Sequence, residues 1–147
     1  MALKPKRIFL HHSLTQDSGS VSWGAIRYYH TKVKKRPYLD IGYHAGCELV
    51  KSGDHNYYEI FMGRMWDIQG AHCRGHNQDS LGLCFIGNFD HIAPVDDQLK
   101  AGAKVVSLWL SLYNLTIGDI HLHREYDPNK SCPGEKFSLR HFKSFVF

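Results

Sequence analysis

Apolar and polar positions alternate in some stretches of this chain and recur every three or four residues in others, and the two rhythms outline its elements. Arg7-Ile-Phe-Leu-His-His-Ser13 is a run of β-branched and aromatic residues that stops at a polar segment. It predicts a short strand followed by a loop over Ser13 to Ser20. Ser22 stands where a helix cap belongs, and Trp23, Ile26, Arg27, Tyr29, His30 and Val33 follow at near-helical spacing. A helix of about three turns is expected, stopping at Lys34-Lys-Arg-Pro37. Ile41 to Val50 and Tyr57 to Met62 read as strands, and the turn signal Lys51-Ser-Gly-Asp54 joins them into an antiparallel hairpin. Leu81 to Ile86 is wholly apolar and reads as a central strand. Pro94-Val-Asp-Asp-Gln98 opens the longest helical pattern. Its acidic residues suit the positive end of a helix dipole, and Leu99, Val105, Val106, Trp109 and Leu110 are core candidates before an end near Asn114. Asp119 to His123 predicts one more short strand. Phe137, Leu139, Phe142 and Phe145 are spaced for a C-terminal helix over Phe137 to Phe147. The irregular alternation and the hairpin exclude a purely parallel sheet, so an α/β fold with a mixed sheet covered by helices is expected.

Composition narrows the setting. The chain has 147 residues, 43% of them hydrophobic, without repeats or low-complexity runs, which suits one domain over residues 1–147. The apolar stretch Val105 to Leu115 is interrupted by Ser107, Ser111, Tyr113 and Asn114 and falls short of the roughly 18 to 20 residues that span a bilayer. No membrane partner is expected. Ile8 to Leu10, after the charged N-terminus, is too short for a signal-peptide core, and the four cysteines form no CxxC pair. Reduced thiols and a cytoplasmic location follow as expectations. Lysine plus arginine exceeds aspartate plus glutamate by 18 to 14. This mild excess suits an anionic polymer without saying which, and the Lys32-Val-Lys-Lys-Arg36 run reads as solvated surface. No nucleic-acid partner is expected.

Eleven histidines point to metal chemistry or proton transfer. Four segments concentrate the candidates: Phe9-Leu-His-His-Ser-Leu-Thr15, Leu39-Asp-Ile-Gly-Tyr-His44, Ala71-His-Cys-Arg-Gly-His-Asn-Gln-Asp-Ser-Leu-Gly82 and His121-Leu-His-Arg-Glu-Tyr-Asp-Pro-Asn-Lys-Ser-Cys-Pro-Gly134. A hydrolytic zinc site takes three protein ligands and leaves one position open, and two histidines with a cysteine are an accepted set. On a regular strand His11 and His12 point to opposite faces and cannot both reach one metal, whereas His121 and His123 share a face. Strand geometry therefore leaves His121 and His123 as rivals.

Together these segments resemble the zinc amidases that include phage amidase-type lysozymes, anhydromuropeptide amidases and animal peptidoglycan-recognition proteins. The resemblance covers nearly the whole chain. It implies Zn2+ held by His11, His123 and Cys132, with Tyr43 and Lys130 stabilising the oxyanion formed when an activated water attacks an amide carbonyl. Cys132 follows His123 by nine positions, one more than in the phage lysozyme pattern, which places an extra residue in the Tyr126 to Asn129 loop. In the family the segment around His72, His76 and Asn77 borders the substrate groove, so His72 and Asn77 are expected to contact substrate. Cys84 and Cys47 read as small buried hydrophobes. The implied activity is cleavage of the bond between N-acetylmuramic acid and L-alanine in peptidoglycan, by a monomer acting as a phage-type endolysin. The host cytoplasm would hold it until a holin opens the way to the wall. A cytosolic enzyme that recycles muropeptides and a non-catalytic peptidoglycan-binding module are the alternatives, and a regulatory protein partner is a further expectation.

Overall fold

The computed structural model describes residues 1–15 and 22–147, so the expected loop lies outside the described residues beyond Thr15. Five strands form one sheet in the order β3-β2-β4-β1-β5. They are β1 (Arg7–His12), β2 (Ala45–Ser52), β3 (His55–Met62), β4 (Ser80–Phe85) and β5 (Ile120–Leu122). The expected hairpin is the antiparallel pair β2–β3, whereas β1 runs parallel to both β4 and β5, and β2 parallel to β4. The mixed α/β sheet is therefore present, with the apolar β4 buried throughout.

Alternation divides the sheet into two unlike faces. Ile8, Leu10, Leu81, Leu83, Phe85, Ile120 and Leu122 point to one side. There they form the main core with Leu99, Ala103, Val106 and Trp109 of α2 (Asp96–Tyr113) and with Phe137 and Phe142. Asn114 ends α2 in a left-handed conformation at φ 54°. Phe9, His11, Gly82 and Cys84 alternate to the other side, where α1 (Trp23–Tyr28) lays Trp23 across Gly46 of β2. A Cβ at Gly46 would sit 2.3 Å from the Trp23 ring, so glycine is what lets the indole approach the sheet. One face is thus a packed core, and the other carries the polar chemistry.

Two boundaries and the winding of one helix differ from the sequence expectation. The strand expected from Ile41 starts only at Ala45. The reason is Arg64, whose guanidinium donates to the carbonyls of Ile41 (2.8 Å), Gln69 (2.7 Å) and Asp40 (3.2 Å). Backbone bonds from Gly63, Arg64 and Ala71 to His44, Tyr43 and Gly42 tie the same segment to a loop instead of a strand. The first helix, capped by the Ser22 hydroxyl, continues beyond Tyr28 as a π-helical turn over Tyr29–Val33. At the C-terminus only Leu139–Lys143 is helical (α3), capped by Ser138. Phe137 lies ahead of it, its carbonyl held by Arg124 and its amide bonded to Gly134.

Candidate metal centre

β1, β5 and one loop bring three soft donors together at the C-terminal ends of the parallel strands. His11 is the fifth residue of β1 and alternates onto the polar face. His123 follows immediately after β5, at the start of a 3-10 turn (His123–Glu125) capped by the Glu125 carboxylate on the Leu122 amide. The donor atoms of His11, His123 and Cys132 all lie within 4.8 Å of one another, with His11 Nδ1 3.6 Å from Cys132 Sγ. His121 takes no part. Its ring packs against Phe9 and Tyr126 at 6.1 and 5.2 Å, because β5 ends at Leu122 and the 3-10 turn redirects His123 alone. His12 faces the other way and accepts a hydrogen bond from the Phe89 amide, while its own amide donates to Cys132 Sγ at 3.4 Å.

The loop bearing Cys132 is held from several sides. Arg124 donates its backbone N–H to the Cys132 carbonyl, and its guanidinium bonds the Gly134 carbonyl at 2.6 Å. Asp90 accepts from the Ser131 hydroxyl and the Glu135 amide. The donor chemistry fits a divalent cation of the zinc type: two imidazoles and a thiol, with no carboxylate among them. Burial, reinforced by the His72 and His123 imidazoles, keeps His11 well below its ordinary pKa. His123 is lowered by burial as well. Burial pushes the Cys132 thiol up to about 12, although the His12 amide and Lys130 act against that. The imidazoles are thus neutral and offer lone pairs at physiological pH, and the thiol must release a proton to become a ligand.

The Tyr43 ring is tilted against the His11 ring at 5.2 Å between centroids, and the Cys84 thiol lies near its hydroxyl. Burial, with Cys84 adding, raises its pKa well above 10, so it is a permanent O–H donor. Lys130 is exposed on the loop before Cys132, near enough to influence both His123 and Cys132. Beside Tyr43 opens a cleft of about 520 Å³ lined by Ser13, Leu14, Thr15, Ala25, Ile26, Tyr29 and His30. A second cavity of about 530 Å³ lies between residues 86–95 and the start of α2, away from the three donors.

His72 and Asn77, the residues expected to contact substrate, lie next to the donor cluster. His72 is buried behind His11, with its Nδ1 3.0 Å from His11 Nε2. Asn77 Oδ1 accepts from the backbone amides of His72 and Cys73, both at 2.8 Å, and so shapes the loop that carries His72. Neither residue lines the cleft beside Tyr43. Sequence reasoning missed Arg124 as the clamp of the Cys132 loop, whereas Cys84 is the free, fully buried thiol that was expected.

The sequence profile of the N-acetylmuramoyl-L-alanine amidase family, Amidase_2, matches residues 1–135. Peptidoglycan-recognition protein 2 of Holotrichia diomphalia is 37% identical over 108 residues, covering 69% of this chain and 53% of its own length. The chain therefore spans about half of that relative. The endolysin of Escherichia phage T7 is 29% identical over 131 residues, 86% of this chain and 78% of its own. In fold the chain is similar to the N-acetylmuramoyl-L-alanine amidase LysC of Clostridium intestinale URNW. The TM-score is 0.76 at 22% identity, over 97% of this chain and 85% of that one. A profile match that runs from before β1 through all three donors shows that the chain belongs to the N-acetylmuramoyl-L-alanine amidase family.

Proposed function

We propose that this protein is a zinc-dependent N-acetylmuramoyl-L-alanine amidase that hydrolyses the amide between the lactyl group of N-acetylmuramic acid and L-alanine in peptidoglycan. The observation that carries the reading is the convergence of His11, His123 and Cys132 beside a permanent hydroxyl donor, Tyr43, at the mouth of a cleft. Zinc, when bound by these three residues, activates water and polarises a carbonyl. The chain's own groups do the rest. Tyr43 donates its O–H to the oxygen that becomes negative as the amide carbonyl turns tetrahedral. Lys130 adds a positive charge on the same side, and preorganised donors of this kind act without reorganising during the reaction. Leu14, Ile26 and Tyr29 give the cleft apolar walls that seat the substrate and exclude water from around the scissile bond.

An endolysin role is the setting we favour, supported by the T7 endolysin match over most of both chains. Retention of the thiol donor at Cys132 favours catalysis over wall binding alone. Purified protein incubated with peptidoglycan should release new L-alanine amino termini, an activity abolished by chelator and restored by zinc. Release of reducing sugars without new amino termini would refute the assignment. Comparing intact sacculi with soluble anhydromuropeptides tests the setting, and cleavage of the soluble fragments alone would overturn the endolysin role.

A further inference from the structure

His11 presents a different partner to each of its ring nitrogens. Nδ1 faces Cys132 Sγ at 3.6 Å, and Nε2 lies 3.0 Å from His72 Nδ1. We propose that His72 is a positioning residue which, by accepting a hydrogen bond from His11 Nε2–H, fixes His11 in the tautomer and ring orientation that offer Nδ1 to the metal. The inference rests on the reading that His11, His123 and Cys132 hold zinc.

A neutral imidazole carries one ring proton, and the nitrogen that gives its lone pair to a metal cannot be the one that carries it. With Nδ1 as ligand, the His11 proton sits on Nε2, and the only direction of the bond to His72 is donation from His11. His72 must then keep Nδ1 free and carry its own proton on Nε2. The reverse arrangement, with His72 donating, would put the His11 proton on Nδ1, against Cys132, and remove a ligand. Metal-bound histidines commonly donate their second N–H to a carboxylate or carbonyl. Here a neutral imidazole stands in that place.

The surroundings of His72 hold it there rather than in the cleft. Its ring is wedged between two glycines: a Cβ at Gly70 would lie 2.6 Å from His72 Cδ2, and one at Gly82 would lie 2.6 Å from His72 Cγ. No other residue type leaves that space. Asn77 fixes the backbone through the His72 amide, and the His44 ring packs edge-on at 5.5 Å. His72 Nε2 is buried on the side away from His11, and the Ser80 backbone acts on the imidazole as an acceptor, which leaves Nδ1 as the nitrogen that faces His11.

The test compares wild type with His72→Asn, whose Oδ1 stands near the place of Nδ1 as an acceptor, and His72→Leu, which fills space without one. Zinc affinity is read by chelator competition, and the protonated nitrogen of His11 by proton–nitrogen correlation spectra of the zinc-free protein. The expected wild-type spectrum shows His11 protonated at Nε2. His72→Leu should bind zinc about 10- to 100-fold more weakly and His72→Asn within a few-fold of wild type. A wild-type His11 protonated at Nδ1, undiminished affinity in His72→Leu, or equal loss in both variants would overturn the proposal. The wild-type spectrum decides even if a variant fails to fold. Wild-type protein that binds no zinc at all would instead overturn the metal reading beneath it, a result distinct from normal wild-type binding with unaltered variants.

Discussion

His44 is fully buried, and both of its ring nitrogens are committed: Nδ1 accepts from the Gly82 amide at 3.0 Å, and Nε2 donates to the Ile68 carbonyl at 2.8 Å. A proton added to Nδ1 would break the bond to β4 and bury a charge. Burial therefore lowers its pKa from 6.5 to about 4, with the Ile68 carbonyl opposing and Arg64 adding to the shift. Because the folded value lies below the unfolded one, its contribution is fully present above pH 6.5 and is lost as pH falls toward 4. At about 1.36 kcal/mol for each pKa unit, the full loss approaches roughly 3 kcal/mol, and about 2 kcal/mol is gone near pH 5. The variant His44→Asn keeps an acceptor for the Gly82 amide but cannot titrate. Urea unfolding in chelator, near pH 8 and again near pH 5, gives the comparison. The variant should start about 1 to 2 kcal/mol less stable at the higher pH, having lost the Ile68 bond. It should then decline by about 2 kcal/mol less than wild type on acidification. Parallel declines would show that His44 does not resist protonation in the fold.

Three further outcomes are expected. Cys132→Ser should lose zinc at equimolar metal and, with it, amidase activity, measured by metal content after dialysis and by release of L-alanine amino termini; full activity would remove Cys132 from the ligand set. Tyr43→Phe should keep its zinc affinity while kcat falls by about 10²- to 10³-fold, the loss typical of one oxyanion donor, and a change of only a few-fold would reassign the hydroxyl. Gly46→Ala should destabilise the fold by about 1 to 3 kcal/mol in urea, since Trp23 must move off the sheet, and an unchanged midpoint would show that the indole yields freely.

How much of this was legible depended on whether the governing contact was local. β4 and α2 announced themselves by burial pattern and period, because each meets one uniform environment along its length. The segment 41–44 has the apolar alternation of a strand but is claimed by Arg64, some twenty residues later, and no window over the segment itself contains that residue. Phe137 leads into the three-residue spacing of Leu139, Phe142 and Phe145, yet Arg124 fixes its carbonyl before α3 begins. At the site, alternation separates His11 from His12 correctly but cannot separate His121 from His123, because the choice depends on the 3-10 turn that interrupts the strand. His72 shows the same limit in a polar residue. Its bond to His11 joins positions 61 residues apart, and the local clue, a histidine two positions after Gly70 and five before Asn77, fits a groove contact equally well.

The three donors also join the two ends of the fold, for His11 and Cys132 are separated by 121 positions in sequence and 3.6 Å in space. An ion held between them would act as a removable clasp around most of the polypeptide. A covalent link closing a loop of that length restricts the unfolded chain by about 4.7 kcal/mol or slightly more in the chain-entropy description. Part of that resistance would come and go with the ion. The Cys132 loop, pinned in its absence by Arg124 and Asp90, would then be the first seam to open when the ion is withdrawn.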